Sequence, residues 1–136
     1  MQVQKRRFET LSYWFASSLF VCHEMDAVGR AEWKLLYVLR DLEDSNAYIW
    51  FVLLHIPIYV ALLWGSNAGG LLEKTVRIGL SSFLVIHAGL HFRLRNDPLY
   101  FFTPPVETIT VYGAAVASMI FLMFQFVWRE HDRQHP

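Results

Sequence analysis

Seven ionisable side chains fall within or at the edge of apolar stretches: His23, Glu24, Asp26, His55, His87, His91 and Glu107. Imidazole nitrogens and carboxylate oxygens are the donor set of zinc, iron and manganese sites. The spacing suits a shared centre. His23 and Asp26 are three residues apart, and His87 and His91 four, so each pair shares a face of a helix. A His-x-x-x-His pair presents two imidazoles to one ion, and two layers of histidine and carboxylate hold one or two ions. The expected ligands are His23, Asp26, His55, His87 and His91. Glu24 and Glu107 are the expected catalytic acid–base groups or further ligands. Each residue also has a plainer reading. Asp26 can pair with Arg30 one turn on, and Glu107 can complement the positive N-terminus of its helix. A neutral histidine in an apolar span can bond a carbonyl or a carboxylate and lock two helices together.

The elements that must position these groups are apolar helices. Of 136 residues, 54% are hydrophobic and 16% aromatic, both high for a soluble domain of this size. Twelve basic residues balance twelve acidic ones, which removes any bulk electrostatic attraction to nucleic acid. The single cysteine, Cys22, excludes an intrachain disulfide. Four spans are expected, at about residues 9–28, 48–64, 74–92 and 105–128. Each is close to the ~20 residues that cross ~30 Å of hydrocarbon. The last shows none of the polar striping at a 3.6-residue period that a soluble helix carries. Lys5-Arg6-Arg7 followed by an apolar run imitates a signal peptide. No small-residue cleavage pattern follows, so the segment is read as a retained first span.

The fold class is therefore all-α: an integral membrane four-helix bundle running up-down-up-down as one membrane domain. Residues 30–44 place Leu35, Leu39 and Leu42 on one face. That pattern fits an amphipathic helix lying in the interface, or the first helix running on past a bend at Gly29. Pro57 removes a backbone hydrogen bond inside the second span and predicts a kink. Thr103-Pro104 marks the start of the fourth helix. Leu99-Tyr100-Phe101-Phe102 is an apolar segment able to act as a lid. With the N-terminus inside, Lys5, Arg6, Arg7, Lys74, Arg77, Arg129 and Arg133 lie on the inner side. Arg30, Lys34, Arg40, Arg93 and Arg95 lie on the outer side. This bias predicts cytoplasmic N- and C-termini; the expected location is a bacterial inner membrane, on the resemblance described next.

In that topology, four helices deliver their polar groups to one level. At ~1.5 Å per residue, His23, His55 and His87 all lie roughly 10 Å below the outer edge. Asp26, His91 and Glu107 lie just above them. The run His23-Glu24-Met25-Asp26-Ala27, followed by Glu32-Trp33, His55 and the His87–His91 pair, resembles a group of small uncharacterised bacterial membrane proteins. Those proteins carry a His-x-x-Glu-Glu signature in the first span and further histidines later. This chain has Asp26 and Ala27 where that signature has its two glutamates. The resemblance implies a site and no reaction.

Three functions fit these residues. The first is a metal-binding membrane protein, an enzyme acting on a lipid or other apolar substrate near the outer leaflet. Its cofactor is one or two ions of zinc, iron or manganese. The second is a b-type haem protein with His55 and His87 as axial ligands. The third is a non-catalytic accessory subunit of a larger membrane complex. The bilayer is the expected partner in each case, with a membrane-protein partner or a second copy of the chain beside it.

Overall fold

The computed structural model describes residues 2–134. It is a helical bundle with no strand among the described residues. Helix α1 runs Gln2–Gly29, α2 Asp44–Gly65 and α3 Gly70–Leu94. The fourth long helix, α4, is built from a first turn Pro104–Glu107, a π-helical stretch Thr108–Tyr112 and an α-helical remainder Gly113–Gln134. Thr103 is extended ahead of the first turn and two prolines occupy its start, where a missing N–H costs nothing.

Three of these helices, spanning Asp44–Gly65, Gly70–Leu94 and Pro104–Phe126, are long and apolar enough to cross a membrane. Helix α1 has the length, at 28 residues, but not the apolarity. Its first half carries basic, acidic and hydroxyl-bearing residues, many of them exposed, while His23, only 1% exposed, faces the interior of the bundle.

The core is formed mainly by α1, α3 and α4, with α4 packed against both of the others. Tyr13, Phe20, Leu84 and Phe121 meet there against Ala114 and Ala117. The small residues let the helix backbones approach closely, which is how helices pack when lipid supplies no hydrophobic drive. Gln125 of α4 donates to Glu9 of α1.

Helix α2 is peripheral: only 11% of its most apolar window is buried, against 39% for α4. It is tied down at its ends. Gly65 lies so close to α3 that a Cβ there would stand 2.7 Å from Val76. Gly69, at φ 77°, makes the left-handed turn into α3. Pro57 sits inside the continuous helix.

Residues 30–44 do not form the interfacial amphipathic helix. Ala31 adopts a left-handed conformation, φ 54°, that stops the helical run. A single 3-10 turn, Glu32–Lys34, follows, and then a series of turns. The change of direction brings Glu32, Trp33 and Leu39 into buried positions. Trp33 packs on Tyr48 and Phe51 of α2, and Lys34 pairs with Asp44 at 2.8 Å. The turn thus closes one end of the bundle, and it does so with a carboxylate pointing inward.

Candidate metal centre

His23 on α1 and His87 and His91 on α3 meet beneath that turn. Their ring centroids are 4.9 Å (His23–His87), 4.8 Å (His23–His91) and 4.6 Å (His87–His91) apart. The one-turn spacing of His87 and His91 puts both on the face of α3 that meets α1. Glu32 completes the group from above. One ligand atom from each of His23, Glu32, His87 and His91 lies within 4.8 Å of every other, so the four could hold a metal ion.

The individual distances show how well. His23 Nε2 is 3.0 Å from His87 Nε2 and 3.4 Å from Glu32 Oε2. His91 Nε2 is 3.8 Å from Glu32 Oε1. Ligands at ~2.0–2.1 Å from a tetrahedral zinc stand about 3.3 Å from one another. The observed separations bracket that value. The donor set, three imidazoles and one carboxylate, suits zinc, iron or manganese and discriminates little between them. His23, His91 and Glu32 are all nearly inaccessible to solvent. Glu32 Oε2 and His23 Nδ1 are buried with no hydrogen-bond partner, an expensive arrangement that a ligand would relieve for the carboxylate.

Burial alone would push the Glu32 carboxyl up. The His23 and His91 imidazoles that face it, at 3.4 and 3.8 Å, outweigh burial and hold the group at about 2. Glu32 is therefore a carboxylate across the neutral range and supplies the one anionic donor among the four.

A second layer orients His91. Tyr100 donates its hydroxyl proton to Glu107, so its oxygen is left to accept from His91 Nδ1–H, at 2.7 Å. With an ion bound, that bond would hold His91 with its Nε2 lone pair turned to the metal, as partners of metal-ligating histidines commonly do. Burial, and then the neighbouring Glu107, keep the Tyr100 phenol above its ordinary range, so it stays a donor. Phe102 packs its ring against His23 and His91, at 5.5 and 4.9 Å between centroids. The 99–102 segment thus covers the cluster from the side of α4. The π-helical stretch follows directly after Glu107; such insertions are frequent at functional sites.

The other sequence-derived candidates are placed around this group rather than in it. His55 bonds on both nitrogens. Nδ1 donates to the Phe51 carbonyl, and Nε2 lies 2.7 Å from Glu24 Oε2. The pair therefore shares a proton. Asp26 faces Arg30 at 3.3 Å, and Arg30 reaches on to Thr103. Glu107 reaches the cluster through Tyr100, and its own oxygen is 3.8 Å from His91 Nδ1. Glu32 is the member that sequence reasoning did not select. It stands in a charge-rich stretch outside every span, and its one signal was its neighbour Trp33, an aromatic residue among charges.

The sequence matches a family of unknown function, DUF6713, over residues 9–128. The chain belongs to the DUF6713 family. The match spans all four long helices and so takes in the whole histidine and carboxylate group. The family's description assigns no activity to it. No curated protein and no solved structure matches the chain.

Proposed function

We propose that this DUF6713 protein is a metal-binding integral membrane protein whose ion is held by His23, Glu32, His87 and His91. We further propose that it is an enzyme acting on an apolar, membrane-dissolved substrate near the outer leaflet. The observation that carries the reading is convergence: two helices and one turn deliver three imidazoles and a buried, ionised carboxylate to one point. Desolvating such a group costs several kcal/mol, a cost that a bound cation would offset.

A bound ion there supplies Lewis-acid polarisation or an activated water. Glu32 contributes the negative charge that neutralises part of it. Tyr100 and Glu107 hold His91 in the ligating tautomer. Glu24, bonded to His55, is the acid–base group of this reading, since both line a cavity that also reaches Glu32 and His87. The excess of Lys and Arg on one side supports cytoplasmic termini, with the centre toward the opposite leaflet; a bacterial inner membrane is our assignment from the resemblance to small bacterial membrane proteins.

A bis-histidine haem is disfavoured by the geometry: both nitrogens of His55 are engaged, and His87 stands against His23. The test is metal quantification on protein purified in detergent without chelators. Stoichiometric zinc, iron or manganese in the wild type, and its loss in His87→Ala, are expected. Full occupancy in the variant would overturn the assignment.

A further inference from the structure

Between α2 and α3 lies an elongated cavity of about 530 Å³. On α2 it is lined by Phe51, Leu54, His55, Ile58 and Leu62, and on α3 by Gly79, Leu80, Phe83, His87 and Leu90. Both sets recur at spacings of three and four with one adjacent pair each, so each is one face of its helix. The two helices run antiparallel, and each lining covers twelve residues, a rise of ~16 Å.

Polarity is not spread evenly along that length. His55, His87, Glu24 and Glu32 are its ionisable lining groups, and they form one band. From His55 down to Leu62, and from His87 down to Gly79, the named lining is wholly apolar for ~10–12 Å. Helix α2 packs only loosely over this space, and both helices bear apolar outer faces, so whatever enters arrives from the hydrocarbon of the bilayer. A slot for a linear apolar chain therefore runs up to a polar band, beyond which Leu36, Leu39, Phe51 and Leu90 continue the lining; one side of the band is Glu32 and His87 of the metal group. The other side is the Glu24–His55 pair.

We infer that this cavity binds a linear alkyl amphiphile with an oxygen-bearing head group. The tail lies between Ile58, Leu62, Leu80 and Phe83, and the head lies between the metal group and the Glu24–His55 pair. This rests on the metal-centre reading for the place of the head, and on the cavity alone for the place of the tail. A carboxylate, ester or hydroxyl oxygen is the head that suits the band: it can donate to or accept from the Glu24–His55 pair and can also serve as a ligand to a hard or borderline cation.

Gly79 makes the inference testable. It lines the apolar end, and a Cβ added there meets nothing within 4 Å. Its distance along α3 from His87, eight residues or ~12 Å, keeps a substitution away from the ligands. Gly79→Phe should therefore fill the slot while the bundle and its metal remain.

The experiment uses the full chain in detergent and a long-chain fatty acid carrying a mid-chain diazirine. Photolabelled residues are mapped by mass spectrometry, and metal content and helicity are measured on the same samples. The expected result is labelling concentrated on Ile58, Leu62, Leu80 and Phe83, competed by the unmodified fatty acid. It should fall about tenfold or more in Gly79→Phe with metal content unchanged, the effect of overpacking an occupied slot. Should Gly79→Phe lose helicity, Gly79→Leu makes the same test with less bulk. Labelling spread over the outward residues Val60, Leu63 and Ile86, neither competed nor altered by the variant, would overturn the inference in favour of bulk lipid contact. Slot labelling in protein that binds no metal would support the tail site and refute the metal centre, so the two failures are distinguishable.

Discussion

Replacing Glu32 by Gln tests the residue that the fold, rather than the sequence, brings to the centre. The amide keeps the volume of the side chain and removes its charge. The structure sets the expected size of the effect. Four residues share the ion, and a structural zinc site of this kind is worth ~10–16 kcal/mol in all, so one ligand carries roughly 3 kcal/mol. Glu32 is the only anionic donor and is buried, which places its share at or above that mean. The expected result is a rise in Kd of about two orders of magnitude or more. The assay is competition against a chelator of known affinity, run on detergent-purified protein, with zinc as the probe ion. Asp26→Asn serves as the comparator. Asp26 lies outside the group and pairs with Arg30, so its Kd should stay within about threefold of wild type. Equal affinities for wild type and Glu32→Gln would refute the reasoning, as would a larger loss in Asp26→Asn.

Three further outcomes follow from the same geometry. Tyr100→Phe removes the acceptor for His91 Nδ1–H and should weaken metal binding by about 10–100-fold, the usual cost of losing a second-shell partner; titration against the same chelator measures it. In metal-free protein the folded Glu32 carboxyl sits at about 2, below the ordinary 4.5, so its ionised form stabilises the fold. The stability difference between wild type and Glu32→Gln should be full above pH ~4.5 and vanish as pH falls through about 2, read from acid unfolding in detergent. Gly65→Ala drives a Cβ to 2.7 Å from Val76 and should destabilise the α2–α3 corner by about 1–3 kcal/mol, seen as a lower thermal midpoint with metal affinity retained.

The second and third helices and the turn between them were legible because hydropathy and turn residues report them directly. The expected spans 48–64 and 74–92 lie inside Asp44–Gly65 and Gly70–Leu94, and the intervening glycines mark the turn. Residue number also fixes depth along an axis, at a constant rise per residue. It does not fix rotation about that axis relative to the neighbouring helices. This is why His55 could be placed at the level of His23 and His87, while its direction, toward Glu24 rather than into the cluster, emerges only from packing. Asp26, one turn from His23, likewise turns toward Arg30. Glu32 was hidden for a different reason. Its position depends on a single left-handed residue, Ala31, and a non-glycine in that conformation leaves no mark in the sequence. The π-helical stretch at Thr108–Tyr112 is silent in the same way.

X-ray absorption at the edge of the bound metal tests the central claim most directly, because it reads the ligands themselves. The account predicts a first shell of nitrogen and oxygen at ~2.0–2.1 Å for zinc, with the outer-shell scattering of three imidazoles. That scattering should fall by one imidazole in His87→Ala, and the oxygen contribution should change in Glu32→Gln. A spectrum without imidazole scattering, or one identical in wild type and both variants, would place the ion elsewhere and contradict the account.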